Sequence, residues 1–473
     1  MNNNIHDNLI IKTIMPVAKK YNEHVYVVGG FLRDCLLGID SSDVDIVVAK
    51  GHGKEFAQNL ANEINGYFVE LDTINNIYRV VFADKTNYID IADCTGESIE
   101  EDLKRRDFTI NALAYDLKND MLIDVLNSIN DIKNEIIREI SKENMLDDPI
   151  RLFRAFRFKS QLGFEFSENL KAIIKENTPC LKTVANERIN VELMKLFGGK
   201  NLINTINSLD KYNVLEIIIP EIKDIKKIPP NAHHHLNLFE HSIETVKQID
   251  YYLENACEEV KEHLNSEFLG GIKRINHLKL GAFLHDIGKP CTWKIEPDTG
   301  RHRFIKHDSE GAILIAPRLK ALKFSKKQIA YIQKLIKNHI YPASVVTSDD
   351  VNEKAFLRFY RKMEEETIDL IVLAYADRMS ALGPDITKEV TEKNINGLEK
   401  LLKGYLEERN KLAPLPKLLD GHEIMKILNI NATPMLGEII KELKEAQISG
   451  DVNTKDEAID FIKKYSLLAE KQN

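Results

Sequence analysis

No apolar run in this sequence approaches the length needed to cross a membrane. The opening residues, MNNNIHDNLIIK, lack the basic region followed by an apolar run that marks an export signal. The first absence excludes a helical membrane span, and the second makes a cytoplasmic location the expectation. Cysteine is scarce as well. The five present, Cys35, Cys94, Cys180, Cys257 and Cys291, are odd in number, scattered and never spaced Cys-x-x-Cys, which argues against a disulfide framework or a cysteine zinc site and for free thiols. Surplus positive charge is also missing. Lys and Arg total 65 against 73 Asp and Glu, a formal net charge of -8, so any RNA contact must come from local patches rather than a basic coat. There is no internal repeat and no low-complexity segment.

What is present is ordinary for a globular chain: 43% hydrophobic and 29% charged residues over 473 positions, enough for about three domains. The chemistry concentrates first in Val25–Val48, VYVVGGFLRDCLLGIDSSDVDIVV. This reads as strand, glycine turn, short helix, acidic turn, strand. Side chains alternate along a strand, so Asp43 and Asp45 project to one face while Val44, Ile46 and Val48 point into a core. Two carboxylates so close repel unless a cation lies between them, and magnesium with oxygen ligands suits the place. Gly29 and Gly30 let backbone amides approach a phosphate chain, with Arg33 a turn further on to pair its charge. A glycine pair alone is a turn, and a lone Asp-x-Asp is often a solvated strand end. Their co-occurrence in one short segment supplies the parts of a phosphoryl or nucleotidyl transfer site.

This segment resembles the head of the class II tRNA nucleotidyltransferase and poly(A) polymerase family, whose GG-x-x-RD and D-x-D elements fall here on Gly29-Gly30, Arg33-Asp34 and Asp43, Asp45. Further strands are predicted at Tyr67 to Leu71, Tyr78 to Phe82 and Tyr88 to Ile91, with amphipathic helices carrying Leu9, Ile10, Ile14 and Val17, and Phe56, Leu60 and Ile64. Asp90, flanked by core-facing Ile89 and Ile91, is the candidate third carboxylate, against the alternative of an exposed strand-end aspartate. The string EEDLKRRDFTINALAYD is close to the family's second motif, which implies that Arg106 reaches the triphosphate and Asp107 a ribose hydroxyl, with Asn111 beside them. Where the family often has a glycine pair after the next aspartate, Asp124 is followed here by Val125, Leu126, Asn127 and Ser128; asparagine also tolerates the left-handed turn. In DDPIRLFRAFRF, Arg151, Arg154 and Arg157 share one helix side and Phe153 and Phe156 another. Asp148 and Arg151 match the family's amino-acid template, which implies hydrogen bonding to the incoming base, with Asp147 where a glutamate is usual. The helix from Glu187-Arg188-Ile189 to Leu193 resembles the last family motif and is expected to be structural.

A second constellation follows between Pro229 and Gly383: His241, His285-Asp286, His307, His339 and Asp377, most of them inside apolar helical runs. Buried charges need pairing or metal. The arrangement resembles the HD superfamily of metal-dependent phosphohydrolases, which implies one or two divalent ions on these residues, and imidazole favours nickel, manganese, cobalt or zinc. His233, His234 and His235 match no role and are expected at the surface. A small hairpin is predicted between Trp293 and Phe304.

The expected architecture is α+β: a nucleotidyltransferase head with a mixed β-sheet at 1–138, an all-helical neck at 139–228, an HD domain at 229–384 and a helical tail at 385–473 that resembles the tRNA-holding end of bacterial members. The resemblance implies a template-independent enzyme that adds C, A or both to the 3' end of tRNA from CTP and ATP with release of pyrophosphate, using Mg2+ at Asp43 and Asp45. Neither DNA nor a membrane is an expected partner. A carboxylate only accepts and a guanidinium only donates, so Asp148 with Arg151 suits the edge of cytosine or adenine and opposes guanine and uracil. Members that add the whole CCA carry a longer flexible segment before the Arg-Arg-Asp motif; the short Ile91 to Lys104 here resembles members restricted to CC. A poly(A) polymerase built from the same parts, or a catalytically idle RNA-binding protein, are the alternatives.

Overall fold

The structure, a computed structural model, describes residues 2–41, 43–85, 87–348, 353–409 and 416–470. Positions 410–415 and 471–473 of the expected tail thus lie outside the described residues. The chain forms two compact units, Met1–Pro220 and Glu221–Asn473.

The first unit is built on a seven-stranded mixed sheet. Its strands are β1 (Val25–Val28), β2 (Val44–Val48), β3 (Tyr67–Asp72), β4 (Ile77–Val81), β5 (Tyr88–Asp93), β6 (Ala114–Asp116) and β7 (Met121–Ile123). They lie in the order β3-β4-β5-β2-β1-β6-β7. Every pairing is antiparallel except β2 with β5, which run parallel with Asp45 directly beside Asp90. One face is apolar by alternation. Val25, Val27, Val44, Ile46, Val48, Val80, Ile89 and Ile91 are all buried there, and the helix Gly53–Glu63 packs on β2 to β5 through Phe56 and Leu60. The helix Leu9–Lys20 packs on that helix through Ile10, Ile11, Ile14 and Ala18. Leu9, expected on the apolar stripe, is instead 78% exposed. It is the first helical residue after Asn8, whose side chain accepts from the Ile10 and Ile11 amides, and Ile11 and Ala18 set the phase of the buried face.

The opposite face is covered only in part. Val28, Val47 and Ala114 pack under Ile99 and Leu103 of the helix Ile99–Lys104, while Asp43 and Asp45 are left exposed. Asn127 takes the left-handed conformation, φ 57°, so a single asparagine makes this turn. Beyond it the chain is mainly helical, with Ile150–Leu162 packed on Asn186–Phe197 and Leu202–Lys211, but the neck is not all-helical as expected: Glu165–Phe166 forms a short strand parallel to Ile136–Ile137.

In the second unit the helices Leu238–Asn255, Arg274–Leu284, Lys326–Asn338 and Thr367–Ser380 pack on one another. Every residue of Arg274–Leu284 is buried. Its one arginine is therefore paired: Arg274 donates to both oxygens of fully buried Asp369 at 2.9 Å, and Asp369 also meets His263 at 2.9 Å and the Tyr331 hydroxyl. The predicted hairpin forms as Trp293–Ile295 against His302–Phe304. Lys388–Glu408 packs on Thr367–Ser380, and a separate small core of Leu419, Ile424, Ile439, Leu443, Ala458 and Ile462 joins the last three helices. Among the described residues no helix is long and apolar enough to cross a membrane.

Candidate active site and metal centre

The glycine turn between β1 and the helix Gly30–Leu37 opens the first site. Gly29 has φ 77° and ψ -141°, a backbone region open in practice to glycine alone. A Cβ there would also lie 3.1 Å from an Arg106 nitrogen, and one on Gly30 would lie 3.3 Å from the Arg33 guanidinium. The turn thus lets two cations fold back over bare backbone. Arg33 donates to Asn111 Oδ1 at 2.7 Å and to Asp34. Asn111 in turn donates to Asp107 at 3.0 Å, and Arg154 pairs with the other oxygen of Asp107 at 2.8 Å. Burial alone would raise the Asp107 carboxyl, but Arg154, Asn111, the Phe108 amide and Arg157 together hold it below the usual range.

Around this chain of contacts lies a cavity of about 340 Å³ whose lining includes Asp43, Asp45, Arg106, Asp148 and Arg151. Asp43 and Asp45 stand at the start of β2, Arg106 follows the Ile99–Lys104 helix, and Arg151, Arg154 and Arg157 lie on the Ile150–Leu162 helix. Arg157, paired with Glu192 at 2.9 Å, lies with its guanidinium 4.0 Å from the Phe158 ring centre. Burial, opposed by Glu192 and reinforced by Arg154 and Arg33, brings it down to about 10. Asp45 is pushed up to about 6, by withdrawal from bulk water in the pocket and then by Asp43. A carboxylate that ionises so reluctantly beside another is the condition a divalent cation relieves, so the donor set fits such an ion.

Asp90 is the lateral neighbour of Asp45, and both its oxygens accept from Arg79, at 2.7 and 2.8 Å. In the expected template pair the Arg151 amide donates to the Asp148 carbonyl at 3.0 Å, but the two side chains have other partners. Asp148 accepts from Arg188 through both oxygens, at 2.9 and 2.7 Å, and Arg151 donates to the Asn144 carbonyl at 2.9 Å. Arg188, expected to be purely structural, therefore holds the Asp148 carboxylate; the two lie 40 positions apart, and only tertiary packing brings them together.

All six residues of the second constellation converge. His241 and His285 approach through Nε2 atoms 3.3 Å apart, as do His307 and His339. The Asp286 carboxylate lies between the two pairs, 3.1 Å from His285 and 3.2 Å from His307, and Asp377 is 3.2 Å from His241. Each ring is oriented from behind. Nδ1 faces a carbonyl in His285 (Ala282), His307 (Phe304) and His339 (Ile336), and the Ser380 hydroxyl in His241. That arrangement fixes the proton on Nδ1 and turns the Nε2 lone pairs toward the carboxylates. Lone pairs facing carboxylate oxygens in a buried centre call for positive charge; the Lys289 ammonium meets one Asp286 oxygen, while the other, Oδ1, has no hydrogen-bond donor. Burial would depress His285, yet Asp286 and Asp377 push it up to about 10, the same demand for positive charge. These residues fit one or two imidazole-favouring divalent ions.

His234 departs from its expected place at the surface. Its ring centre lies 4.4 Å from that of His241, and its Nε2 is 3.3 Å from Lys289, whose ammonium pairs with Asp286 at 2.6 Å. Burial, then the Lys289 charge, drives this imidazole far below its ordinary value. Lys289 could have been noticed from the sequence, standing one turn beyond Asp286 in HDIGK; His234 could not, since only the tertiary fold separates it from its two neighbours. All five cysteines are free thiols.

Comparison with known proteins agrees with this division. The model for the poly(A) polymerase head domain matches residues 25–138, that for a probable RNA- and SrmB-binding site of polymerase A matches 163–226, and that for the HD domain matches 238–382. An A-adding tRNA nucleotidyltransferase of Deinococcus radiodurans is 30% identical, with 93% of this chain and 95% of the relative covered. A CC-adding tRNA nucleotidyltransferase of Thermus thermophilus is 28% identical, with 92% of each covered. Among solved structures, the Thermotoga maritima CCA-adding enzyme complexed with tRNA shares the fold at a TM-score of 0.55 and 23% identity, over 97% of this chain and 96% of that one.

Proposed function

The chain belongs to the class II tRNA nucleotidyltransferase and poly(A) polymerase family and carries an HD domain, and from that premise we propose that it adds cytidylate to the 3' end of tRNA from CTP, releasing pyrophosphate. The observation that carries this reading is the single cavity that joins Asp43 and Asp45 to Arg106, Asp107, Asp148 and Arg151. Asp43 and Asp45 would hold a divalent ion, Mg2+ by the hardness of the oxygen donors, and that ion would supply neutralisation of phosphate charge and a lowered pKa for the RNA 3'-hydroxyl. The turn at Gly29 lets the triphosphate lie against backbone, and Arg106 pairs with its charge. Asp107, held ionised by Arg154, accepts from a ribose hydroxyl. Asp148 and Arg151 read the base: the carboxylate accepts from an exocyclic amine and the guanidinium donates to the bare ring nitrogen beside it. Guanine and uracil present an oxygen and a protonated nitrogen there, so GTP and UTP are refused while CTP and ATP fit. Catalysis on this reading is positioning with charge neutralisation and needs no covalent intermediate.

Restriction to CC is favoured by the segment between Asp93 and Arg105. It is short and tied down: the Cys94 amide bonds Val48 O at 2.7 Å, Thr95 bonds Asp102, Glu97 bonds Glu101, and Ser98 caps the Ile99–Lys104 helix. A segment so fastened does not reshape the base pocket between successive additions. Relatives named for adding CC and for adding A alone match nearly the whole chain, which fits partial addition and keeps A addition as the second reading. A cytoplasmic location follows from a tRNA substrate. The HD centre is a phosphohydrolase site on the same footing, with imidazole-held transition metal. Transcripts of one tRNA ending at the discriminator base, at C and at CC, each incubated with CTP, with ATP and with both, test the proposal. Two added residues with CTP and none with ATP are expected; rapid A addition to the CC transcript would establish the A-adding reading, and long homopolymer tails on unrelated RNA would establish a poly(A) polymerase.

A further inference from the structure

The uncovered part of the head sheet carries two rows of side chains that lead away from the catalytic carboxylates. Register defines them. In one row Val69 of β3 lies beside Arg79 of β4, Asp90 of β5 and Asp45 of β2; in the next, Tyr67 lies beside Val81 and then Tyr88. Because Val44 pairs with Ile89 in a parallel ladder, the second row continues to Asp43. Tyr67 is 54% exposed, Val69 40% and Tyr88 39%, although alternation could have placed polar residues at all three. Two cations stand over the rings: the Arg79 guanidinium is 3.8 Å from the centre of Tyr88 and the Lys85 ammonium 5.6 Å from that of Tyr67. Arg79 is itself held by both oxygens of Asp90, the lateral neighbour of Asp45, which ties the aromatic rows to the site.

We infer that this face is a stacking platform for the single-stranded 3' end of the RNA acceptor, with Tyr67 and Tyr88 as its base-stacking residues. The inference rests on the reading of the chain as a tRNA nucleotidyltransferase and goes beyond it by naming where the acceptor strand lies. Exposed aromatics interleaved with cations are the chemistry that holds single-stranded nucleic acid without regard to sequence. Continuity sets the polarity: the 3'-hydroxyl must reach Asp43 and Asp45, so the preceding nucleotides run outward toward β3. Three strand spacings separate β2 from β3, roughly 14 Å, the rise of about four stacked nucleotides. A second copy of the chain pairing along the edge strand β3 is the competing occupant of an exposed apolar edge.

Equilibrium binding of a tRNA transcript ending in CCA, whose discriminator base and CCA give four unpaired nucleotides, measured by fluorescence anisotropy without nucleotide, tests the platform on the full chain. Tyr67→Ala should weaken that binding about tenfold, within the range that loss of one stacked base produces. Tyr67→Phe should restore it. The KM for CTP, kcat and the salt dependence of binding should stay within twofold, since neither nucleotide nor phosphate contacts change. A blunt duplex RNA should bind wild type and Tyr67→Ala equally. Unchanged tRNA affinity in Tyr67→Ala, an equal loss for the blunt duplex, or a wild-type dimer that Tyr67→Ala disperses in sedimentation would each overturn the platform. Failure of wild type to extend any tRNA would instead overturn the proposed function, and the binding arm reads out independently of it.

Discussion

Replacing Arg154 with methionine strands Asp107, and the cost follows from how unequally the two partners are buried. The Asp107 side chain is 6% exposed and that of Arg154 35%. Unit charges about 4 Å apart at an effective dielectric constant of ~20 attract by ~4 kcal/mol. Solvent reaching Arg154 screens part of that, and Asp107 keeps the bonds from Asn111 and the Phe108 amide, so we expect Arg154→Met to cost about 2–3 kcal/mol, the lower edge of what breaking a buried pair costs. Asp107→Asn should cost only ~1 kcal/mol, because the guanidinium left behind can reach water. The pH dependence has a definite sign. The Asp107 carboxyl is held below its ordinary value, so the stability contributed by its ionised form is present above the unfolded pKa of about 4 and is lost as pH falls through the depressed folded value. In Arg154→Met that carboxyl rises instead, and the variant's deficit should shrink at acid pH as it becomes neutral. Thermal melts of both variants at pH 7.5 and pH 4 provide the assay; at ~2–4 °C per kcal/mol for a unit of this size, Arg154→Met should melt ~5–10 °C below wild type at pH 7.5 and close much of that gap at pH 4. Equal destabilisation by the two substitutions, or a deficit independent of pH, would refute the argument.

Gly29→Ala places a Cβ on left-handed backbone 3.1 Å from Arg106, so stability should fall by ~1–3 kcal/mol and kcat/KM for CTP at least tenfold; wild-type kinetics in a folded variant would contradict the role given to the turn. Arg188→Ala frees the Asp148 carboxylate, and in single-nucleotide incorporation the preference for CTP over UTP should drop by about tenfold or more, whereas undiminished selectivity would remove Arg188 from base reading. Asp45→Asn should abolish nucleotide addition while leaving the metal content of the HD centre intact, and Asp286→Asn should empty that centre while leaving addition intact; elemental analysis beside the addition assay would expose any single substitution that, in a folded protein, removes both.

The parts of the site that could be read from sequence are those whose chemistry and geometry share one short stretch. Strand alternation alone places Asp43 and Asp45 on the face opposite Val44 and Ile46, and the steric demand at Gly29 is local. The residues of the candidate metal centre were legible because His285 and Asp286 directly follow an apolar helix, where an unpaired buried polar group is costly. Pairings made only by packing were not legible. Arg188 reaches Asp148 across 40 residues, and His234 meets Lys289 across 55. Arg79 takes Asp90 because an antiparallel register sets them side by side. Leu9 misled for a related reason: apolar spacing suggested a stripe, but its phase is set by which residues touch the neighbouring helix.

The parallel pairing of β2 with β5 has a consequence for how the enzyme comes into being. Antiparallel neighbours can zip from a tight turn, whereas a parallel pair needs a long crossover, here the helix Gly53–Glu63 and the hairpin β3-β4. Closing that loop precedes any gain from the contacts it makes, so such pairings form late and slowly. A nascent chain that has emerged only as far as Val48 already displays the glycine turn and both aspartates, with β1 on one side of Asp45, but β5 is missing on the other and Arg106, Asp107 and Arg154 have yet to be synthesised. A ribosomal product that ends before Arg106 can thus bring Asp45 beside Asp90 but lacks the cations of the pocket, and it carries no competent site with which to extend RNA.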